Sequence, residues 1–456
     1  MIVMKFGGTS LESSEAIRRV AGIVKARLHL RPVVVVSAMG KTTDALLAIA
    51  TAAAKGNREE AIGRLHRLEE FHRQESSPLV ASPDRQELEN FLNEHFGALC
   101  EMVKGLSAVG ELTPRSRDGV ASYGERLSSR IVSLALRGDG VSSTHLDSRR
   151  LILTDDNFTQ AAPAIQETYE RVTKSISAVG SADVPVMGGF IGATMDGVTT
   201  TLGRGGSDLT ASLVGAAVDA EEVQIWTDVD GVLTCDPHLI PDARPVRTIS
   251  FDEAAELAYF GAKVLHPATV FPAKAKNIPV RILNSRRPEA PGTAIVADYV
   301  PCANTLKSLA CKQGVTVVTI KSNRMLMAHG FLARIFEIFD RYETAVDMVS
   351  TSEVSVSLTV DNDRHLSEIC AQLIPFTEIA VEKGQAILCA VGENLRHTPG
   401  VAARIFDALK HINVRMVSQG ASRLNLGMVV SSQDLQQAAE ALHREFFTEL
   451  DPAVFG

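Results

Sequence analysis

The sequence contains no sustained basic run and carries a formal net charge of −8, which argues against a nucleic-acid partner. No apolar run approaches the ~18 residues that a membrane span requires. Residues 1–6 lack the charged leader and long apolar region of a secretory signal, and their composition predicts a first strand. These absences predict a cytoplasmic protein without a membrane partner.

Cysteine is sparse and scattered. The six cysteines, at positions 100, 235, 302, 311, 370 and 389, form no CxxC pair and no Cys/His cluster. Structural zinc and a disulfide framework are therefore not expected, which is typical of a cytosolic protein.

Several catalytic signatures are also missing. The tripeptide Gly40-Lys41-Thr42 resembles the end of a P-loop, but that motif needs a glycine five residues earlier, where Val35 stands. No Ser-His-Asp, Cys-His or metal-triad arrangement emerges from the sequence. Covalent catalysis by a side-chain nucleophile is therefore not predicted.

Residues 1–300 alternate between short β-branched runs and amphipathic helical stretches. The runs are apolar throughout, which predicts buried strands at 1–6, 33–37, 184–187, 223–227 and 280–283. Such alternation is typical of an α/β domain with a mainly parallel open sheet between helices, whose ligands collect at the carboxyl ends of the strands. Residues 57–112 read as a polar, helix-rich insertion.

An internal repeat follows a break in the pattern at 285–292. Residues 330–336 (Gly-Phe-Leu-Ala-Arg-Ile-Phe) match residues 400–406 (Gly-Val-Ala-Ala-Arg-Ile-Phe) at an offset of 70 (400 − 330), and 347–350 match 415–418 at an offset of 68 (415 − 347). Two copies of a small α+β unit can create a ligand site where they meet. A pure dimerisation domain is the alternative.

The segment 199–208 (Thr-Thr-Thr-Leu-Gly-Arg-Gly-Gly-Ser-Asp) precedes an apolar helical run. A glycine-rich turn that opens a helix exposes backbone N–H groups at the positive end of the helix dipole, and this attracts phosphate. A flexible loop with a Ser-Asp helix cap is the alternative. Lys5 stands before a second glycine pair, Gly7-Gly8, where it can offset the charge of a phosphate; a surface lysine beside a turn is the alternative.

Further candidates follow other strands or begin helices. The loop 37–44, which contains Thr43, carries hydroxyl groups, and Glu125 begins an amphipathic helix where the dipole alone favours a carboxylate. The segment 227–237 carries three carboxylates; it suits a nucleotide or Mg²⁺, and ordinary turn chemistry is the alternative. Lys263 supplies another cation. Lysines, glycine loops, Arg204 and carboxylates together predict phosphoryl transfer by positioning and charge neutralisation.

Five motifs in this order resemble aspartate kinase (aspartokinase), and the similarity covers nearly the whole chain. They lie at 5–10 (Lys-Phe-Gly-Gly-Thr-Ser), 122–125 (Ser-Tyr-Gly-Glu), 199–208, 226–231 (Trp-Thr-Asp-Val-Asp-Gly) and 260–267 (Phe-Gly-Ala-Lys-Val-Leu-His-Pro). The resemblance implies an amino-acid-kinase domain at 1–300 and a regulatory region at 301–456 with two ACT domains, at about 312–392 and 393–456.

The resemblance also implies a reaction. ATP, with Mg²⁺, would phosphorylate the β-carboxylate of L-aspartate to 4-phospho-L-aspartate, the first step toward threonine, methionine and, by the diaminopimelate pathway, lysine. Another amino-acid kinase, acting on glutamate or acetylglutamate, and a non-catalytic amino-acid sensor are the alternatives. The paired repeat and the 122–125 motif argue against the first, and the charged site argues against the second.

Residue roles carry over from the family by motif. Lys5 resembles the lysine that stabilises the transferring phosphoryl group, and Asp208 resembles the aspartate that organises the cations. The aspartate-binding positions are Thr43, Glu125, Arg204 and Ser207. The nucleotide-contacting positions are Lys5, Gly7, Gly8, Thr227, Asp228, Leu233, His238 and Lys263. No metal ligand is assigned.

One position departs from the family. His238 follows the Asp-Pro of the nucleotide loop, where arginine is common. A neutral imidazole cannot make a permanent bidentate phosphate contact, so we expect weaker or pH-dependent ATP binding there.

The first repeat resembles the effector site of the monofunctional lysine-sensitive class. We expect lysine inhibition through a homodimer or homotetramer of ACT domains, with no fused homoserine dehydrogenase. Glu353 or Asp347 suits the ammonium group of the ligand. The effector positions are Met325, Gly330, Phe331, Leu332, Val346, Asp347, Ser352 and Glu353.

Overall fold

The computed structural model describes residues 1–261, 267–298, 300–322 and 330–456. Residue contacts divide the chain into two compact units, one formed by 1–231 and 264–299, the other by 232–263 and 300–456. The chain thus enters the second unit at residue 232, returns to the first at residue 264 and enters the second again at residue 300. No helix among the described residues is long and apolar enough to cross a membrane.

The strands are β1 (Ile2–Phe6), β2 (Pro32–Val36), β3 (Ser143–Leu146), β4 (Val184–Gly188), β5 (Ile191–Ala193), β6 (Thr199–Thr201), β7 (Glu222–Thr227), β8 (Thr248–Ser250), β9 (Val280–Asn284), β10 (Thr293–Val296), β11 (Ser308–Lys321), β12 (Val349–Thr351), β13 (Ser355–Val360), β14 (Glu378–Val391), β15 (Met416–Gln419) and β16 (Asn425–Ser431). The helices are α1 (Ser14–Lys25), α2 (Thr42–Ala54), α3 (Arg58–Ser76), α4 (Arg85–Val109), α5 (Pro114–Ala121), α6 (Tyr123–Gly138), α7 (Ile165–Ser177), α8 (Gly206–Ala217), α9 (Phe251–Tyr259), α10 (Phe271–Ala275), α11 (Phe331–Arg341), α12 (Leu366–Leu373), α13 (Val401–Ala408) and α14 (Leu435–Phe446).

The first unit is built on a mainly parallel sheet with strands in the order β3-β4-β2-β1-β7-β9-β10. All neighbours along this order are parallel except β9 and β10. Strands β1, β2 and β4 are buried along their whole length, as their apolar runs predict for a sheet covered on both faces. The α/β prediction is confirmed, and each predicted strand starts and ends within one residue of an observed one.

Alternation along β1 determines where its lysine points. Ile2, Met4 and Phe6 belong to one hydrophobic cluster with α1, α2 and α6. Val3 and Lys5 therefore face the opposite side of the sheet, where α8 packs on β1. This geometry directs Lys5 toward the first turn of α8.

The carboxyl ends of β1 and β2 lie together. The Gly7 N–H donates to the Trp226 carbonyl (3.0 Å), and the Ser37 N–H donates to the Phe6 carbonyl (3.0 Å). A Cβ on Gly8 would lie only 2.8 Å from the carbonyl oxygen of Gly40, so the two loops approach closely because this residue is glycine.

The second unit contains an antiparallel sheet in the order β12-β13-β11-β14-β16-β15. Strands β11 and β14 are each 14 residues long, and their pairing shifts register between Gln313 and Val317. The first half of β11 pairs with the second half of β14, which also pairs with β16. The second half of β11 pairs with β13 and with the first half of β14. The long strands thus join two similar four-stranded halves.

The two repeats of the sequence adopt the same local structure. Gly330 and Gly400 are the N-caps of α11 and α13, with φ of 79° and 82°. This left-handed conformation favours glycine, which explains why both copies carry one there. Ile335 and Ile405, matched by the same offset, are both buried. The repeat is therefore structural as well as sequential.

The excursion 232–263 is tied into the second unit by a buried ion pair. Ser250 and Glu253 form a capping box at the start of α9. The carboxylate of Glu253 also accepts a hydrogen bond from the Lys307 ammonium (2.9 Å), and both side chains are essentially inaccessible to solvent. Breaking one member of such a pair would leave a buried charge without compensation.

Candidate active site

A cavity of about 350 Å³ lies at the carboxyl end of the parallel sheet, within the first unit. It is lined by Lys5, Gly8, Ser37, Ala38, Gly40, Thr43, Glu125, Phe190, Gly203, Arg204, Gly205, Gly206, Ser207 and Asp208. The four predicted aspartate-binding positions, both predicted catalytic residues and Gly8 of the nucleotide set therefore line one cavity.

An ion pair between Lys5 and Asp208 forms one wall. The Lys5 ammonium lies 2.6 Å from Oδ1 of Asp208, and the two side chains are 11% and 15% exposed. Partial burial strengthens the attraction relative to a surface pair, while the remaining exposure leaves the ammonium open to the cavity. The aspartate thus holds the lysine in place and still lets it meet an anion.

The glycine-rich segment forms a second wall. Gly203 and Gly205 have φ of 75° and 73°, and Gly205 is the N-cap of α8. A Cβ on Gly206 would lie 2.8 Å from the Phe190 ring, so that glycine is required by packing. The first turn of α8 therefore starts at the cavity with its N–H groups at the positive end of the dipole.

Arg204 differs from Lys5, the other cation of the cavity lining, because it is exposed. Among the described contacts it makes no ion pair with any carboxylate. A guanidinium presents a planar fork that suits a carboxylate ligand. Arg204 is consequently available to an incoming anion.

Glu125 is a buried carboxyl group at the floor of the cavity. Its Oε1 accepts a hydrogen bond from the Ala38 N–H (3.1 Å), whereas its Oε2 has no hydrogen-bond partner among the described residues. Burial raises the pKa of Glu125 to about 8, although the Ala38 N–H and the Lys5 ammonium act in the opposite direction. A ligand cation beside Oε2 would favour the ionised form.

The remaining nucleotide candidates among the described residues do not line this cavity. Thr227 donates from its hydroxyl to Asp228 (3.2 Å) at the end of β7, next to β1. Leu233 and His238 belong to the second unit, where His238 is exposed and its N–H donates to Asp236 (2.9 Å). Lys263 lies outside the described residues.

Sequence reasoning missed Phe190, whose φ is 65° and whose N–H donates to the Thr210 hydroxyl (3.0 Å). A signal was present in Gly188-Gly189, a glycine pair directly after a buried strand. A Cβ on Gly189 would lie 2.6 Å from Cβ of Ser207, so this glycine lets α8 approach β4.

Comparison with known proteins agrees with this geometry. The profile of the amino acid kinase family matches residues 1–284, and that of an ACT domain matches residues 388–446. Aspartokinase 1 of Arabidopsis thaliana, a chloroplastic protein, is 40% identical over 98% of this chain and 80% of its own length. The chain belongs to the aspartokinase family.

Bacterial aspartokinases are similar over their full length. The lysine-sensitive aspartokinase 3 of Escherichia coli is 35% identical over 98% of this chain and 99% of its own. Crystal structures of E. coli aspartokinase III match with TM-scores of 0.84 (lysine and aspartate complex) and 0.82 (aspartate and ADP complex), at 34% identity, covering 98% of this chain and 99% or 100% of theirs.

The effector candidates of this aspartokinase centre on Asp347. Its Oδ1 lies 2.7 Å from the Lys312 ammonium, which also reaches Asp361 (2.8 Å). Its Oδ2 is buried without a hydrogen-bond partner in the described part of the chain. Burial raises the pKa of Asp347 despite the opposing effect of Lys312. One oxygen of this carboxyl group is thus free to accept a hydrogen bond from a ligand.

The other effector candidates lie in several different elements of the second unit. Gly330, Phe331 and Leu332 form the start of α11, and Ser352 with Glu353 forms an exposed turn after β12. Val346 packs against the core of the first repeat. Met325 lies outside the described residues.

The second repeat carries the opposite charges at equivalent positions. Arg415 corresponds to Asp347 and Glu382 corresponds to Lys312 by the repeat offsets, and these two residues form their own ion pair. A ligand ammonium group would therefore meet a carboxylate in the first repeat and a guanidinium in the second.

Proposed function

We propose that the cavity binds L-aspartate beside the γ-phosphate of ATP and that Lys5 stabilises the phosphoryl group during its transfer to the β-carboxylate. The observation that carries this assignment is one cavity that combines the Lys5–Asp208 ion pair, a guanidinium without an ion pair to any described residue, and a buried carboxyl group. Two cations and two carboxyl groups, one of which pairs with Lys5, complement the charges of aspartate and phosphate.

The chemistry needs little beyond positioning and charge. The β-carboxylate of aspartate is ionised at neutral pH, so no general base has to activate it. The main barrier is the repulsion between this carboxylate and the phosphate oxygens. Lys5 and the N–H groups at the start of α8 reduce that repulsion, and they do so more strongly in a partly dry cavity than in water.

Substrate selection follows from the remaining groups. Arg204 would bind the α-carboxylate through its planar fork, and Glu125 would accept the α-ammonium group at Oε2. Thr43 and Ser207 would supply hydroxyl groups to the carboxylates. These assignments place the α-carboxylate and the ammonium group of aspartate opposite complementary charges.

The nucleotide would be held at the edge of the cavity by Gly7, Gly8, Thr227 and Asp228 of the first unit. Nucleotide contacts by Leu233, His238 and Lys263 remain predictions of the family resemblance. No cluster of three or more metal-ligating side chains occurs in the described ranges. Mg²⁺ typically binds through one or two carboxylates, waters and substrate phosphates, so an ion carried by the nucleotide would be held by the carboxylates of Asp208 and Asp228. Mg²⁺ held there would neutralise part of the phosphate charge.

We also propose lysine as the effector and the first repeat as its site. The under-satisfied Asp347 carboxyl group supports an ammonium ligand there, and Arg415 disfavours one at the equivalent place in the second repeat. Strand β12 is exposed and pairs with β13, which leaves an edge suited to a second copy of the chain in a homodimer or homotetramer. A cytoplasmic location remains a prediction.

Trapping the acyl phosphate with hydroxylamine tests the reaction. We expect hydroxamate formation from ATP with L-aspartate and at least tenfold less with L-glutamate or acetylglutamate. The Arg204→Ala variant should raise the KM for aspartate at least tenfold because it loses a charge-assisted contact, with little change in the KM for ATP. Equal turnover of glutamate, or no turnover of either acid, would refute the assignment.

A further inference from the structure

Asp118, in α5, carries a buried carboxyl group that is not part of the cavity lining. Only 1% of the residue is exposed. Its carboxyl group accepts three hydrogen bonds, from the Thr201 N–H (2.9 Å), the Thr201 hydroxyl (2.7 Å) and the Thr159 N–H (2.9 Å). No ion pair to Asp118 occurs among the described residues, and the hydrogen bonds that its carboxyl group accepts there all come from these two threonines.

The two threonines flank the loop that carries Arg204. Thr201 ends β6, three residues before Arg204, and its carbonyl accepts a hydrogen bond from the Ala161 N–H (2.9 Å). Thr159 has φ of 73°, an unfavourable value for a β-branched residue that persists only where its surroundings hold it. A Cβ on Gly203 would lie 3.1 Å from the Thr159 carbonyl oxygen, so the two loops are in close contact.

The geometry points to Asp118 as a positioning residue for the aspartate site. We propose that it clamps Thr201 and Thr159 so that Arg204 is held where the substrate α-carboxylate binds. This inference rests on the role proposed above for Arg204. Since a displacement of ~1 Å can cost about 10²-fold in rate, a clamp without substrate contact can still control substrate affinity.

The conservative variant Asp118→Asn can keep all three hydrogen bonds of the carboxyl group. In Asp118→Asn, the amide oxygen can accept both backbone N–H groups, and its NH₂ group can donate to the Thr201 hydroxyl, which then acts as acceptor. The clamp should therefore survive. In Asp118→Ala both N–H groups lose their partner, and in the double variant Asp118→Asn/Thr201→Val the NH₂ group has no acceptor.

The test measures steady-state kinetics and Tm of the full-length chain for these variants. We expect Asp118→Ala to raise the KM for aspartate at least tenfold while the KM for ATP stays within twofold. Asp118→Asn should stay within threefold of wild type for both substrates. The double variant should have a KM for aspartate at least fivefold higher than that of either single variant.

The matched control is Asp155→Ala. Asp155 accepts the N–H groups of Asn157 and Ala162 in the same loop as Thr159, and it makes no described contact with Thr201. The KM of the Asp155→Ala variant for aspartate should stay within twofold of wild type. An equal effect in Asp155→Ala would mean that general loosening of this loop, and not the clamp, controls the site, which overturns the inference.

A purely structural role for Asp118 predicts a different result: lower Tm and less active protein, with both KM values unchanged, in which case the inference is wrong. If Asp118→Ala does not fold, the double variant with its Asp118→Asn and Thr201→Val parents decides the matter. Arg204→Ala separates the two proposals. Unchanged aspartate KM in Arg204→Ala refutes the role of Arg204, whereas a raised value there with no effect of the clamp variants refutes only the role of Asp118.

Discussion

The protonation of Glu125 should make aspartate binding depend on pH. Burial raises the pKa of this carboxyl group to about 8 in the unliganded site. At pH 7 only about one tenth of the molecules would carry the charge that the substrate ammonium group needs, since each pH unit changes the ratio tenfold. The apparent KM for aspartate should therefore fall about tenfold per unit from pH 6 to pH 7.5 and become constant above pH 8.5.

The variant Glu125→Gln separates this effect from other titrations. The loss of one member of a buried charge pair costs ~2–5 kcal/mol, so the variant should raise the KM at pH 8.5 by at least about 30-fold. At pH 6 the wild-type carboxyl group is largely protonated and resembles the amide, so the difference should shrink to a few-fold. Above pH 8.5 the wild-type advantage should be at its maximum.

Stability provides an independent check with a definite sign. The folded state holds the pKa of Glu125 above its ordinary value, so it favours the protonated form. This contribution is fully present below pH 4.5 and is lost as the pH rises toward about 8, with a limiting cost of about 5 kcal/mol. Glu125→Gln lacks this cost, and its Tm relative to wild type should increase from pH 5 to pH 8.5.

The assay combines initial rates between pH 6 and 9 with calorimetric titration of aspartate in two buffers of different ionisation enthalpy. Close to one proton should be released per aspartate bound at pH 7 by the wild type, and none by Glu125→Gln. A pH-independent KM together with no proton release would show that Glu125 is already ionised in the free enzyme, and the reasoning would be refuted.

Other predictions concern separate parts of the molecule. Lys5→Met should lower kcat about 10³-fold with a smaller change in either KM, because the ammonium acts on the transferring group; a change confined to KM would contradict this. Gly189→Ala should lower the free energy of unfolding by ~1–3 kcal/mol, and with it the Tm, because the new Cβ would lie 2.6 Å from Cβ of Ser207. An unchanged Tm would show that α8 can shift freely. His238→Arg should lower the KM for ATP and flatten its pH dependence between pH 6 and 8; identical profiles would exclude a phosphate contact at this position. Asp347→Asn should raise the lysine concentration for half-inhibition at least tenfold, whereas undiminished inhibition would place the effector elsewhere.

The parallel sheet was predictable because its strands are buried on both faces. Such strands must be apolar along their whole length, and β1, β2 and β4 are visible in the sequence for that reason. The repeat was visible because its glycines adopt a left-handed conformation that other residues rarely tolerate.

The details of the site were harder to predict because they depend on contacts distant in sequence. The motifs identified Lys5 and Asp208, but their ion pair depends on how α8 packs against β1. Asp118 gave no signal, since a lone aspartate in a short helix has no pattern that reveals the two threonines it holds. Phe190 was missed because an aromatic residue with positive φ is not apparent from its type.

The long strands β11 and β14 have a consequence for how the regulatory region evolves and folds. The outermost strand of the second half-sheet comes from the first half of β11, at residues that precede the first repeat in the chain. Removing either repeat would therefore leave an unpaired strand edge in the other half of the sheet. The duplicated halves should melt in one cooperative transition, and a mutation in one repeat should lower the protection of amide hydrogens in the other. The region contains two copies of a fold, and we expect the shared strands to make them one thermodynamic unit.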